Sequence, residues 1–316
     1  MVCHNCSSLC KRFGKFGPKR IQRWRCKQCK KTFSEEQDRP LDDMRIPLDK
    51  AVMALHLLLE GNAVASVERV TGLHKRTILN LLVLAGDECE RLMEKMIKDI
   101  PVQDVAIDEV WSYVKCHDRW KERKGIKDET AGSKWTYIAL ERNSKVVLAW
   151  HVGERDETNT VQFAEKLSDA TSGEYQISAD GWVCYPFALS LTLGDRVSFA
   201  QQIKTYANND DYDTRYSPRK VTAIREKAIF GRPDMDRVST SHVERFNLEL
   251  RMMVRRFTRL TLSYSKKLSN HRAMISLAIA YHNLCRYHQT LRCTPCMAQG
   301  ITKTIWSIED LLTATI

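Results

Sequence analysis

The spacing of hydrophobic residues changes twice along this chain of 316 residues, and each change marks a new kind of structure. After residue 47 apolar positions recur every three or four. "LDKAVMALHLLLEG" reads as a helix closed by Gly61, "AVASVERVTG" as a shorter helix closed by Gly72, and "LHKRTILNLLVLAGDECERLMEKMI" as a long third one. From Pro101 the pattern becomes alternation within short β-branched runs. "VQDVAIDEVWSYV", "KWTYIALER" and "KVVLAWHVG" read as three successive strands, the latter two joined by "RNS". A helix "DETNTVQFAEKLSDATSG", a strand "EYQISAD", a helix around "VCYPFALSLTLG" and a short strand "RVSFAQ" follow. From Ser239 the helical period returns. In "STSHVERFNLELRMMVRRFTRL" the residues Val243, Phe246, Leu250, Met253, Phe257 and Leu260 form the buried stripe of one amphipathic helix.

Two helices joined by a Gly-containing turn, the second led by basic and hydroxyl side chains, match a helix-turn-helix. His74, Lys75, Arg76, Thr77 and Asn80 would then face a DNA groove, the alternative being an ordinary three-helix packing unit. Three antiparallel strands, a helix, a strand, a helix and a strand are the element order of an RNase H-like domain. Residues 206–236 do not fit that order and read as an insertion, with a strand at "VTAIREKAI" and a solvated acidic loop at "NNDDYD".

Composition turns this architecture toward an anionic polymer. A formal charge of +11 and a pI near 9.1 attract phosphate regardless of its sequence. No run of 18 apolar residues occurs, and "MVCHNC" does not resemble a secretion signal, so a soluble cytoplasmic protein with no membrane partner is expected. Eleven cysteines, an odd number, argue in that setting for metal rather than a disulfide framework.

The first 38 residues carry five of those cysteines and ten Lys and Arg, with no acid before Glu35. Cys3-x2-Cys6, nineteen residues and Cys26-x2-Cys29 have the two-knuckle spacing of a structural zinc ribbon, in which four thiolates close a tetrahedron. Gly14, Gly17 and Pro18 lie where a hairpin has to turn, and Trp24 and Phe33 cover a core too small to stand alone. Cys10 is an alternative ligand, and a spare thiol on the competing reading. "RPLDDMRIP" reads as a linker to the helices.

Metal-assisted phosphodiester chemistry needs carboxylates that converge from separate elements, because two hard cations roughly 3.5–4 Å apart hold the attacking and leaving oxygens. Asp108 lies mid-strand among apolar neighbours, where a buried charge requires a partner or a cation. Asp180 ends a strand and is followed by Gly181. Glu244 opens the arginine-rich helix, and at about 100° per residue Arg251 and Arg255 project within roughly 20° of it. Strand alternation puts Glu109 on the face opposite Asp108 and Asp104 nearer the strand's start, so neither is expected to reach the metals. His242, two residues before Glu244, is a further candidate to assist the metal or the DNA, or else a structural histidine.

Taken in order, these blocks resemble the DDE transposases of the insertion sequence 1 group over nearly the whole chain. "CHNC...RCKQCKKTF" is similar to their zinc ribbon, "AVASVERVTGLHKRTILNLL" to their helix-turn-helix, and "IDEVW", "ADGW..Y" and "SHVERFN...R" to their three catalytic blocks. "YHNLCRYHQTLRCTP" resembles the closing pattern of such domains, departing from it at His282 and Cys285. The resemblance implies that Asp108, Asp180 and Glu244 coordinate Mg²⁺ or Mn²⁺, with Arg251 and Arg255 on the phosphates and Zn²⁺ in the ribbon. It also implies binding to terminal inverted repeats and target DNA as a homodimer or higher homo-oligomer, in the cytoplasm on the nucleoid.

The expected whole is a multidomain chain: a zinc ribbon over 1–38, a helix-turn-helix domain over 39–100, an α/β RNase H-like catalytic domain over 101–260 with an insertion at about 205–237, and a helical extension over 261–316. Two other functions remain compatible with these residues, a DNA-binding regulator and a structure-specific nuclease of the same fold.

Overall fold

A computed structural model describes residues 1–3, 5–16, 20–34, 41, 44–206, 221–258 and 262–314. It separates into two compact units, Met1–Asp43 and Met44–Ile316. The first is a sheet of β1 (Cys10–Phe16), β2 (Ile21–Cys26) and β3 (Thr32–Ser34), antiparallel in the order β1-β2-β3. Trp24 pairs with Phe33 across β2 and β3. Gly14 does not make the hairpin turn. It sits within β1 at φ +87°, where the register slips between Arg12 and Lys15, a bulge conformation that glycine adopts without Cβ strain. Gly17 and Pro18 lie outside the described residues, as does "NNDDYD" of the second unit.

The second unit opens with α1 (Leu48–Leu59), α2 (Val64–Thr71) and α3 (Lys75–Met96). Gly61 and Gly72 end the first two helices at φ +71°, as their positions in the sequence require. The apolar side of α3, including Ile78, Leu82, Ala85, Cys89 and Met93, is buried. It packs along α8 (Leu268–Ala280) so closely that a Cβ on Gly86 would lie 2.4 Å from Ala273. These three helices therefore share one core with the C-terminal part of the chain.

The central sheet has the order β11-β10-β9-β5-β6-β7. Its middle strand β5 (Asp104–Val114) pairs antiparallel with β6 (Gly132–Glu141), and β6 with β7 (Val147–Gly153). On its other side β5 pairs parallel with β9 (Tyr175–Ala179), and β9 with β10 (Val197–Tyr206). β10 runs five residues beyond the expected strand because β11 (Val221–Phe230) extends the ladder antiparallel to it. A short parallel pair, β4 (Ile100–Pro101) and β8 (Thr171–Ser172), closes the start of the domain. α5 (Glu157–Ala170) and α6 (Tyr185–Leu193) pack together on one face, where Phe163 stacks on Tyr137 at 5.5 Å. α7 (Ser241–Met253) packs on β5 and β6.

Two elements differ from expectation. A helix α4 (Asp118–Arg123) stands between β5 and β6; none of its residues is buried, so it leaves no apolar period to read. The arginine-rich helix stops at Met253, and Val254 turns to extended geometry. That turn sinks Val254 and Phe257 into the core and brings Arg256 Nη1 within 3.1 Å of Ser265 Oγ, so tertiary packing overrides a continuous helical pattern. Leu260 lies outside the described residues.

The C-terminal segment locks the sheet. Asn283, in a π-helical turn over Tyr281–Cys285, accepts from Val147 N and donates to Val147 O, both at 2.9 Å. His282 Nε2 meets Lys145 O at 2.9 Å. His271 of α8 lies between Ser112 and Ser265 hydroxyls, each 2.9 Å away, and burial pushes its pKa down to about 3. The remaining helices, α9 (Pro295–Ala298) and α10 (Ile308–Thr313), complete the unit, the latter against α1 and α3. Among the described residues no helix is long and apolar enough to cross a membrane.

Candidate metal centres

In the small unit the knuckles Cys3–Cys6 and Cys26–Cys29 face each other. Cys3 Sγ lies 3.6 Å from Cys29 Sγ and Cys6 Sγ 3.5 Å from Cys26 Sγ, and the four sulfurs lie within 4.8 Å of one another, close enough to hold a metal ion. Burial works against the Cys26 thiolate, but backbone N–H groups of Cys29 and Gln28 outweigh it and bring the thiol to about 6. Cys10 stays outside this group, its Sγ 3.6 Å from Ser8 O.

In the large unit a second group forms where β9 ends. The parallel register of β5 with β9 stops at Ile107 and Ala179, so Asp108 and Asp180 emerge side by side just beyond the last ladder pair. Carboxylate oxygens of Asp108, Glu109 and Asp180 all lie within 4.8 Å of one another. Asp108 faces α7, where Asn247 Nδ2 donates to its Oδ2 at 2.8 Å. Trp182 N donates to Asp180 Oδ1 at 3.0 Å and fixes it at the strand end.

The presence of Glu109 corrects the expectation from strand alternation. Glu109 does project from the other face: it pairs with Tyr137, which packs on α5. Alternation separates two faces only where a neighbouring strand continues, and beyond Ala179 none covers this side of β5. Glu109 therefore meets Asp180 around the strand end. Arg155 joins them, its Nη2 3.3 Å from Glu109 Oε2 and 3.4 Å from Asp180 Oδ2. Its guanidinium is held between the indoles of Trp182 and Trp135, at 4.2 and 4.9 Å. Sequence reading missed Arg155; the short loop between β7 and α5 gives no periodic signal for it.

One guanidinium does not balance three carboxylates, so ionising all three together is disfavoured. Burial, then Asp180, pushes Asp108 up to about 7; burial, then Asp180, pushes Glu109 up to about 8 against the pull of Arg155. Among the described residues Glu109 Oε1 is buried without a hydrogen-bond partner, and Tyr185, wholly buried beside it, is pushed well above its ordinary range by burial and by Glu109. These are conditions that a bound cation would relieve.

Glu244 stands next to this group without joining it. Its Oε1 accepts from Lys204 Nζ and, at 2.6 Å, from Thr240 Oγ1. Burial opposes its ionisation, but Lys204 and Thr240 outweigh burial and hold the carboxyl below its ordinary range. Its charge reaches Asp108, whose pKa it helps to raise. Arg251 stays on α7 in its last turn. Arg255 does not share that face, because the helix has ended; its Nε lies 3.2 Å from Ser263 Oγ. His242 turns to the β6–β7 hairpin, its Nδ1 3.0 Å from Lys145 Nζ. Asp104, at the strand's start, is held by Arg237.

Of the side chains read as groove-facing, Lys75, Arg76 and Asn80 are exposed and Thr77 half-buried on the first turns of α3. His74 caps that helix, its Nδ1 accepting from Arg76 N at 3.3 Å.

No protein-family model and no curated protein matches this chain. The resemblance to insertion-sequence transposases rests on the motifs quoted above.

Proposed function

We propose that this protein is a DDE-type transposase of the insertion sequence 1 group, which binds the ends of its own element and carries out metal-dependent cleavage and strand transfer. The observation that carries this reading is the convergence of Asp108 and Asp180 at one strand end, beside the helix that holds Glu244. The sheet order and its flanking helices are compatible with an RNase H-like domain. In the small unit the group fits Zn²⁺: a tetrahedron with Zn–S near 2.3 Å has sulfurs about 3.8 Å apart, close to the observed 3.5 and 3.6 Å.

Asp108, Asp180 and Glu244 would hold Mg²⁺ or Mn²⁺, with Glu109 beside Asp180. Divalent cations bound there supply a deprotonated oxygen nucleophile and stabilise the leaving oxygen. The chain's own residues set the stage. Asn247 fixes one oxygen of Asp108, while Trp182 fixes one of Asp180. Arg155 neutralises part of the carboxylate charge, and Arg251 and Lys204 add positive charge near Glu244 to hold backbone phosphates. Lys75, Arg76, Thr77 and Asn80 would read the element's ends, and two copies would join two ends.

Mg²⁺-dependent joining of DNA that carries the gene's flanking ends tests this reading, with Glu244→Gln as the control and end binding measured for both proteins. Joining that falls by about a thousandfold or more in the variant, with binding unchanged, is the expected result. The Lys204–Glu244 pair, which holds Glu244 out of the carboxylate group, favours a second reading as a DNA-binding regulator. That reading predicts equal end binding and no joining by either protein.

A further inference from the structure

The strand that carries Asp108 continues into a run of aromatic side chains that the metal chemistry does not use. We propose that the hollow beside this run is a nucleotide subsite, which stacks an unpaired base of a DNA strand on aromatic rings and holds its phosphate with Arg119 and Arg123. The proposal rests on the reading of the chain as a DNA-acting enzyme and names single-stranded DNA as what this face takes.

Trp111 and Tyr113 lie on the same side of β5 as Glu109, by the two-residue repeat of a strand. His117 follows just after the strand, and Tyr264 comes from the segment before α8. Their rings form one aromatic cluster, in which Trp111 and Tyr113 also meet at 5.8 Å. Tyr264 stacks on Tyr113 at 5.1 Å, Tyr113 on His117 at 3.9 Å, and His117 on Trp111 at 5.6 Å, with interplanar angles of 28°, 29° and 18°. Trp111 is held in plane by its Nε1, which donates to Ser133 Oγ at 3.1 Å.

Beside His117 this cluster meets an open hollow of about 560 Å³, lined by His117, Asp118, Arg119, Trp120, Arg123 and Ser133. The hollow is of ligand size. Trp120 is 49% exposed on a helix with no buried residue, so its indole contributes little to the fold. Lys124 Nζ lies 5.1 Å from the centre of that indole.

The charges around the hollow divide into used and unused. Asp118 is turned into the fold, its Oδ1 accepting from Ser133 N at 2.8 Å, and Lys121 donates to Ala131 O at 2.9 Å. Lys115 is paired with Asp128 at 3.1 Å. Arg119 and Arg123 are exposed and make no hydrogen bond or ion pair among the described residues. Ring faces beside unpaired guanidinium groups are the chemistry that binds single-stranded nucleic acid: stacking accepts any base, and the cations follow the backbone. A protein partner would call for a contiguous apolar patch, which this charged rim interrupts.

Position supports the same occupant. At about 3.3 Å per residue, Trp111 and Tyr113 lie roughly 10 and 17 Å along β5 from Asp108. Glu109 lies on the same face as these rings and meets Asp180 at the strand end, so that face leads from the carboxylate group to the aromatic cluster within the reach of a few nucleotides.

The test uses the full chain with Glu244→Gln, so that DNA stays intact, and measures affinity for an end duplex with a single-stranded overhang and for the same duplex with abasic overhang positions. The intact overhang is expected to bind about tenfold more tightly. Trp120→Ala and His117→Ala should abolish that difference, and His117→Phe should keep it. Arg119→Ala with Arg123→Ala should weaken both DNAs alike and lower the salt dependence. Equal binding of intact and abasic overhangs by the starting protein, or discrimination that survives Trp120→Ala and His117→Ala, overturns the proposal. Base discrimination is read without any joining reaction, so loss of the transposase reading and loss of this subsite are separate results.

Discussion

The four cysteines come from two tight turns of one small sheet, whereas the acidic group is assembled from β5, from the end of β9 and, alongside, from α7. The first set is short-range: each knuckle is complete within four residues, and two facing knuckles suffice. The second exists only after strands distant in sequence have taken their register. The cysteines have backbone N–H groups as their partners, while the carboxylates already have the charged or amide side chains of Arg155, Asn247 and Lys204. A closed soft site binds its metal as part of folding; an open hard site binds weakly and exchanges.

The largest expected effect breaks the pair apart. Chelation strong enough to strip a metal from the four cysteines, or Cys26→Ser, should unfold the small unit, while circular dichroism and proteolysis show the unit from residue 44 intact. Loss of both together would mean that the large unit depends on the cysteine site.

Arg155→Ala sharpens the contrast at the other centre. Removing a cation that already pairs with Asp180 and Glu109 should raise Mn²⁺ affinity about tenfold, measured calorimetrically on the DNA-free protein. Weaker Mn²⁺ binding would show that Arg155 supports the site rather than competing for it.

The smallest effect concerns pH. In EDTA, Asp108 and Glu109 titrate near 7 and 8 in the folded chain, against about 4 when unfolded. Between those values the folded chain binds more protons, so stability is greatest at the acidic end of this window and falls as pH rises through about 8. The melting temperature should drop by several degrees from pH 5 to 8.5, Asp108→Asn should flatten that slope, and Mg²⁺ should oppose it. An identical slope in the variant would remove Asp108 as its source.

The same contrast explains what could be read from the chain. The cysteine spacing carried its own geometry, and α1 to α3 and β5 to β7 were legible because their burial follows a simple period. Asp108 and Asp180, which the fold brings together, had been singled out by position, a charge among apolar neighbours and a charge before glycine. Glu109 was lost because alternation says nothing about where the adjacent strand stops. Arg255 was misplaced because the period of the arginine-rich segment continues in sequence past Val254, where the backbone turns inward. α4 left no trace because it buries nothing, and Arg155 acquires its meaning from two indoles on other elements.

The close packing of α3 on α8 has a consequence for synthesis. Met93 meets Asn283 across 190 residues of chain, and Gly86 meets Ala273 over a similar interval. At roughly 5–20 residues per second a ribosome needs about 10–40 s to cover that distance. Throughout that time the apolar side of α3 has been made and its cover has not. The nascent protein thus exposes that side until its last quarter emerges, and a product broken off before α8 would leave it uncovered.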